Sequence, residues 1–208
     1  MGEYEASTET FLKYKKETGK QKKNNFFKKT LKNELLGNEI AKNLIDTPVK
    51  AIITHLDASI NKAHIEFSPV PVDEQTLIFA SLRSDTIVYY SAIDTSVQMP
   101  YKKFYTAKKM DTTWVFQGEL EGPFNSPEAN TGNGAFSPDR NRFYFTRCEK
   151  NFQNKMICSI FLSKKEYDKW SEPEKLNSEI NKSDFTSTQP AVGIDSRKNQ
   201  ETIYFVSD

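Results

Sequence analysis

The side chains that most often carry out catalysis or bind metals are few in this sequence and lie far apart. The only two histidines, His55 and His64, are nine residues apart and fall in different predicted elements. A catalytic base needs a nucleophile within hydrogen-bond reach, so each histidine is interpreted as a surface or packing residue. The sequence also contains no Gly-x-Ser-x-Gly turn, phosphate-binding glycine loop or His-Glu-x-x-His helix. We therefore expect no catalytic residue, no cofactor, no metal and no enzymatic activity.

Two short acidic segments resemble fragments of calcium loops. They are Asp139-Arg140-Asn141 and Asp195-Ser196-Arg197. Each lacks a third acidic residue, whereas calcium takes six to eight oxygen ligands. Asp and Asn side chains also cap tight turns, and these segments are interpreted as turns.

Two cysteines, Cys148 and Cys158, flank a predicted turn at 149–155. In a hairpin centred near Gln153 they lie opposite one another, and directly opposed residues have Cβ atoms about 4.5–5.5 Å apart. A disulfide needs about 3.5–4.5 Å, so a bridge requires only a slight adjustment. Two small buried thiols in a reducing compartment fit the same positions. The residues alone leave both alternatives open.

A repeat with a period of 56 residues organises the second half of the chain. Trp114 and Trp170 define it, and four further pairs match without a gap: Leu120 and Leu176, Asn125 and Asn181, Ala135 and Ala191, Asp139 and Asp195. A repeating unit cannot bury its apolar face alone, so these units are expected to stack on one another. Recurrence at one position of the unit favours packing roles for both tryptophans.

The unit has the pattern of a four-stranded antiparallel sheet. Short aromatic or apolar runs separated by turn residues predict strands near 134–138, 142–148, 156–163 and 170–176. Another copy is predicted from 186, and an earlier one from about 60. In that earlier copy Phe67 is taken as the counterpart of Phe136. The earlier copy is then longer than the others, and its additional residues are assigned to 85–100, with an extra hairpin strand at 86–91.

The first fifty residues have helical character instead. Apolar side chains recur at helical spacing in the second part of this segment, and Pro48 is expected to end the helix. Lysines are numerous between residues 13 and 32, and we interpret them as a solvated face. The whole chain has 29 basic and 28 acidic residues, so no nucleic-acid partner is expected. No apolar run reaches the roughly 20 residues that span a bilayer.

The strand and turn motifs resemble those of a known repeat. Residues 135–139 followed by 143–146 are similar to the WD40-like (PD40) repeat, in which Phe-Ser-Pro-Asp-Gly leads into an aromatic strand, although Arg140 replaces the glycine. The residues assigned to this structural motif are Phe67, Ser68, Pro69, Phe136, Ser137, Pro138, Asp139 and Asp195, together with Trp114 and Trp170. A helical region, then residues 60–69, 122–125 and 170–176, resembles the OmpA-family envelope lipoproteins of Bacteroidota, including those associated with type IX secretion.

This resemblance implies a fold class that is mainly β. It implies a helical tetratricopeptide-like segment at 1–50 and an incomplete β-propeller at 51–208. The propeller would contain about two and a half four-stranded antiparallel blades, at about 60–120, 131–176 and 186–208. The chain opens as if inside a helix and stops after a second strand, so a fragment of a longer protein is expected.

The resemblance also implies a function. The expected protein is a non-enzymatic scaffold in the periplasm that binds other envelope proteins, as part of an outer-membrane-associated secretion apparatus linked to peptidoglycan. Peptidoglycan and lipid anchoring, and a signal sequence, would belong to parts outside this chain. A periplasmic location favours the Cys148–Cys158 bridge. The alternatives are an accessory propeller that gates a prolyl-oligopeptidase-like peptidase and a TolB-like periplasmic translocation protein.

Overall fold

The computed structural model describes residues 2–18, 25–47, 49–63, 65–83 and 100–208. The chain divides into two compact units, Met1–Thr54 and His55–Asp208. The first unit contains two α-helices and the second contains antiparallel β-sheets, so the protein is mainly β with helices at its N-terminus. The extra hairpin strand predicted at 86–91 lies outside the described residues.

The helical unit is an antiparallel pair. Helix α1 spans Tyr4–Thr18 and α2 spans Asn25–Asp46, so α2 ends two residues before Pro48. Asn38 on α2 donates hydrogen bonds to Ser7 Oγ and Thr8 Oγ1 on α1, at 3.0 and 3.1 Å. Within the described residues, neither helix combines the length and apolar composition that crossing a membrane requires.

The described residues of the second unit form three antiparallel sheets in chain order. Sheet I consists of β1 (Glu66–Pro71), β2 (Thr76–Ser81), β3 (Lys103–Met110) and β4 (Thr113–Glu119), paired in that order. Sheet II consists of β5 (Asn130–Phe136), β6 (Arg142–Lys150), β7 (Met156–Glu166), β8 (Lys169–Trp170) and β9 (Glu174–Lys175). Sheet III pairs β10 (Ser187–Asp195) with β11 (Gln200–Ser207).

The prediction of antiparallel strands over 131–176 is confirmed, with one correction in the fourth strand. That strand is divided, because β8 and β9 both pair with β7 but are separated by residues 171–173. Pro173 lies in this interruption, and proline cannot donate a ladder hydrogen bond. The remaining strands begin or end within a few residues of the predicted positions.

The sheets stack face to face and bury a separate apolar cluster at each contact. Ile78 and Ala80 of sheet I meet Phe143 and Phe145 of sheet II, with Phe104 fully buried between them. The opposite face of sheet II, with Tyr144, Ile160 and Leu162, packs against Val192 and Ile203 of sheet III. Adjacent strand residues point to opposite faces, so the alternating aromatic and aliphatic sequence supplies both contacts.

The strand register corrects the alignment of the first copy. Phe67 pairs with Ala80 immediately before a β-bulge, the position that Gly132 holds opposite Thr146 in sheet II. Phe67 therefore corresponds to Gly132, four residues before the predicted counterpart Phe136. The motif misleads because Phe-Ser-Pro stands at the bulge in β1 but at the end of β5 and the following turn in sheet II, which are different positions of the repeat.

The same comparison locates the extra residues of the first copy. The offset between equivalent residues is 66 at Ala80 and Thr146, and it is 56 at Phe104 and Ile160. The additional residues therefore lie between β2 and β3. The predicted insertion at 85–100 falls in this connection, of which residues 84–99 lie outside the described part of the chain.

Candidate functional site

In sheets I and II, the contact between the sheet and the segment that follows it depends on one asparagine. Asn125 Oδ1 accepts a hydrogen bond from the Phe104 N–H at 2.7 Å, and its Nδ2 donates to the Phe104 carbonyl at 2.9 Å. Asn181 makes the same pair of bonds with Ile160, at 2.8 and 2.9 Å. Each asparagine thus holds both backbone groups of one residue on the third strand of a sheet. We call this arrangement the asparagine clamp.

A third turn of the same construction precedes sheet I. Asn61 Nδ2 donates to the Leu56 carbonyl at 2.9 Å, as Asn181 Nδ2 donates to the Leu176 carbonyl at 2.9 Å. The Asn61 N–H bonds the Asp57 carbonyl at 2.9 Å, and the Asn181 N–H bonds the Asn177 carbonyl at 2.8 Å. The turn at 56–61 is therefore the counterpart of the turn at 176–181.

An arginine ties two of these turns to the sheet that follows. Arg83 donates to the Ile60 carbonyl at 2.5 Å, and Arg147 donates to the Phe124 carbonyl at 2.9 Å. Both guanidinium groups also lie over aromatic rings of that sheet, Arg83 at 4.9 Å from Phe79 and Arg147 at 5.0 Å from Phe161. A cation over an aromatic face gains electrostatic attraction from the ring.

Burial has an electrostatic consequence for both arginines. It lowers the pKa of Arg83 and of Arg147, because removing a guanidinium from water penalises its charged form. Glu66 opposes this effect at Arg83, since its carboxylate lies 3.5 Å from the guanidinium and both side chains are largely buried. Both arginine side chains therefore have a structural role, since their contacts are with backbone carbonyls and aromatic rings of the second unit.

A charged cluster joins sheets II and III. Glu201 on β11 accepts hydrogen bonds from Arg142 and from the Tyr144 hydroxyl on β6, the latter at 2.7 Å. Burial, together with the bond to Glu201, raises the pKa of Tyr144 to about 12. The hydrogen bond from Arg142 lowers the pKa of Glu201. At neutral pH Tyr144 is therefore a neutral donor and Glu201 a charged acceptor, which is a stable structural pair.

The Phe-Ser-Pro-Asp motif closes the turn between β5 and β6. Ser137 Oγ donates to Asp139 Oδ1 at 2.5 Å and accepts the Arg142 N–H at 3.0 Å. Asp139 also accepts the Asn141 N–H at 3.2 Å, and the hydrogen bond from Ser137 is the main cause of the lowered pKa of Asp139. Asp195 caps the turn after β10 in a similar way through the Arg197 N–H, at 2.9 Å. Phe136 ends β5 and Pro138 lies within the turn, whereas Ser68 and Pro69 lie at the bulge of β1.

Both tryptophans pack against apolar clusters on equivalent strands. Trp170 lies 5.4 Å from Phe124 and 6.1 Å from Phe136, measured between ring centroids. Trp114 packs against the cluster on the outer face of sheet I. A cleft of about 330 Å³ lies between sheets I and II beside Trp170, with Arg140 and Lys165 among its lining residues. Most of the other lining residues are apolar, so this cleft presents mainly apolar surface. Lys165 pairs with Asp168 at 3.1 Å.

Cys148 and Cys158 are directly opposed on β6 and β7 and form a disulfide, with their Cα atoms 3.9 Å apart. The bridge crosses two strands that already pair along nine residues each. It therefore reinforces the β6–β7 pair near the 151–155 turn.

His55 contacts an amide side chain. His55 Nδ1 lies 3.1 Å from Asn61 Nδ2 on the exposed side of the first turn, and His64 lies outside the described residues. Among the described residues, no group of three or more His, Cys, Asp or Glu side chains is arranged to hold a metal ion.

The sequence motifs did not identify the residues that join the sheets. Asn61, Arg83, Arg147 and Glu201 were absent from the predicted site, which contained only strand, turn and cysteine residues. One signal was available, because Leu56, Ile60 and Asn61 match Leu176, Ile180 and Asn181 at a constant offset. The arginine and glutamate contacts had no comparable signal.

Comparisons with known proteins add little to this geometry. No family model and no curated protein matches the chain. A solved structure of a BT0996 complex with RGII shares 10% sequence identity and a TM-score of 0.34, over 74% of this chain and 55% of that one. The chain thus spans about half the length of that structure, and a similarity of this extent supports no inference about function.

Proposed function

We propose that the three sheets are successive blades of a β-propeller. Three observations support this: each sheet stacks on the next, equivalent residues face the same way in each copy, and the asparagine clamp recurs at the same position. Propellers contain four to eight such sheets around a channel, so further blades would complete the ring.

The proposed function is that of a non-enzymatic scaffold that binds other proteins in the bacterial cell envelope. The described side chains with shifted pKa values include Arg83, Arg142, Tyr144, Arg147 and Glu201, and all five link a sheet to its neighbouring sheet or turn. Such groups hold the architecture together. Arg83 and Arg147 line two separate clefts, whereas Arg142, Tyr144 and Glu201 lie between sheets II and III, so the five groups do not share one site. The disulfide supports an oxidising compartment such as the periplasm. The association with a peptidoglycan-linked secretion apparatus is part of the same proposal and rests on the sequence resemblance.

The observation that carries the binding role is an exposed apolar stripe on α2. Leu36, Ile40 and Leu44 are 50%, 49% and 58% exposed. Successive helical residues are about 100° apart, so these three lie on the side opposite Asn38 and Lys42, which contact α1. A helix that is apolar on two faces needs a neighbour on each, as in helical repeat arrays. We call Leu36, Ile40 and Leu44 the α2 stripe.

Photo-crosslinking in the producing organism tests this role. A photoreactive phenylalanine analogue at Ile40 is expected to form discrete adducts with one or a few envelope proteins. The matched control carries the analogue at Glu39, which is exposed on the same helix but lies outside the α2 stripe. Adducts from Ile40 that include only cytoplasmic proteins, or equal adducts from both positions, would contradict the proposal.

A further inference from the structure

Among the described residues, no strand fills the asparagine clamp at 56–61, whereas a strand fills each of the other two. The filled clamps are Asn125 with Phe104 and Asn181 with Ile160, and each holds the third strand of the sheet immediately before it. The turn containing Asn61 precedes sheet I, so the sheet it would hold is an additional one.

The match between this turn and the filled clamps extends beyond one residue. Asp57 Oδ1 accepts the Ser59 N–H at 2.7 Å, and Asn177 Oδ1 accepts the Glu179 N–H at 3.1 Å. Ile60 is buried against the outer face of sheet I, as Phe124 is buried against the equivalent face of sheet II. Arg83 fixes the Ile60 carbonyl as Arg147 fixes the Phe124 carbonyl. The turn is therefore preformed and anchored on the side away from the missing strand.

The acceptor atom of this clamp differs from those of the other two. Among the described residues, nothing donates a hydrogen bond to Asn61 Oδ1, whereas the equivalent atoms of Asn125 and Asn181 each accept a strand N–H. Asn61 is half-buried, as Asn125 is, whereas Asn181 is only 8% exposed. The turn thus keeps the shape of a filled clamp and leaves its acceptor accessible to a further strand.

We propose that the turn at 56–61 is a docking site for the third β-strand of a further sheet of this repeat. Asn61 Oδ1 accepts the N–H of one strand residue, and Asn61 Nδ2 donates to the carbonyl of the same residue. His55, which precedes the turn, pairs antiparallel with that strand, as Lys175 pairs with Phe161.

The filled clamps define the chemistry of the occupant. Phe104 and Ile160 are both fully buried, so the clamped residue carries a large apolar side chain. A second copy of the described strands cannot supply it through β3 or β7, because Asn125 and Asn181 already hold those strands. The occupant is thus a separate strand with an unclamped edge, recognised through its backbone as in β-augmentation.

A peptide that copies a known occupant tests this docking site. The probe is the disulfide-closed hairpin 142–166 of this chain, extended by lysines for solubility and titrated into the isotope-labelled protein by NMR. We expect saturable shifts at the Asn61 side-chain amide and at the His55 and Leu56 backbone amides. N-methylation of the Ile160 position in the peptide removes the clamped N–H, and about a tenfold loss of affinity is expected.

Matched controls separate the clamp from nonspecific contact. N-methylation at the Met156 position lies outside the clamped pair and should leave affinity within about twofold. Asn61→Ala should weaken binding about tenfold, and Lys62→Ala, an exposed neighbour, should not. Shifts confined to β11, no saturable binding, or equal loss from both methylated peptides would overturn the proposal. The result is independent of the α2 stripe, which lies in the other unit and is tested by crosslinking.

Discussion

Glu201 on β11 accepts two hydrogen bonds from Arg142 on β6, at 3.2 and 2.6 Å, across the contact between sheets II and III. The two donors of one guanidinium meet the two oxygens of one carboxylate, a geometry that strengthens an ion pair and fixes its orientation. Tyr144 adds a third bond to the same carboxylate. Sheet III is thus attached to sheet II by a charged contact as well as by apolar packing.

This contact makes stability depend on pH. The pKa of Glu201 is lowered in the folded protein, first by the hydrogen bond from Arg142. A lowered carboxyl pKa contributes stability above the unfolded-state pKa of about 4.3, and that contribution is lost as pH falls through the folded-state pKa. Glu201→Gln should therefore lower the free energy of unfolding by about 1 kcal/mol at pH 7, a modest loss because the site is partly exposed. The loss should become progressively smaller below about pH 4. Urea midpoints at both pH values check this, with exposed Glu179→Gln as the control that should show no such difference.

The filled clamp at Asn181 should be among the most sensitive polar positions. Asn181→Ala removes bonds to the N–H and carbonyl of Ile160 and to the Leu176 carbonyl, and it leaves buried backbone groups unpaired. We expect a loss of about 2–4 kcal/mol in the free energy of unfolding. Lys182→Ala, at the exposed next residue, should change it by less than about 0.5 kcal/mol. Denaturant unfolding of both variants makes the comparison, and similar values for the two would show that the clamp contributes little.

Close packing at Gly134 gives a steric prediction. A Cβ at this position on β5 would collide with the Phe143 ring and lie 3.3 Å from Phe104 Cζ. Gly134→Ala should therefore destabilise the protein by about 1–3 kcal/mol, because the aromatic cluster cannot move freely. Gly193→Ala on β10 is the matched strand control, since an added methyl group there would have nothing within 4 Å, and it should be neutral or slightly stabilising. Thermal unfolding of the two variants distinguishes these outcomes.

The disulfide should be present in protein purified from the periplasm. Intact mass is expected to rise by two hydrogen atoms on reduction, and both thiols should resist alkylation beforehand. Replacing both Cys148 and Cys158 with serine should cost about 2–3 kcal/mol at most, because the closed loop is short. Alkylation of both thiols in the native protein, with no mass gain on reduction, would rule the bridge out.

The strands were predictable from the sequence because their periodicity and turn residues are local properties. The opposed positions of Cys148 and Cys158 followed from the centre of one hairpin, for the same reason. The alignment of Phe67 with Phe136 was wrong because the same Phe-Ser-Pro residues occur at two different positions of the repeat, at the bulge of β1 and after the bulge at the end of β5. The sequence alone does not show which position each motif holds. Pro173 indicated that the fourth strand would be irregular. Where the strand is interrupted depends on how β8 and β9 pair with β7.

The contacts between sheets were harder to predict. Arg142 and Glu201 are 59 residues apart and meet only because sheet III stacks on sheet II at a particular angle. Arg83 lies two residues after the end of β2, whereas Arg147 lies within β6, and both nevertheless reach equivalent carbonyls. Long flexible side chains can satisfy one geometric requirement from several sequence positions, so the repeat pattern does not reveal them.

The central claim is that this protein works by binding other envelope proteins, and affinity capture of the natural full-length protein from its host tests it most directly. Wild type should be compared with a variant carrying Leu36→Lys, Ile40→Lys and Leu44→Lys, which keeps the face of α2 that contacts α1. The account predicts that wild type recovers a defined set of envelope proteins and that the variant loses most of them while remaining folded. Recovery of the same proteins by both, or a hydrolase activity that purifies with the sheet unit, would contradict it.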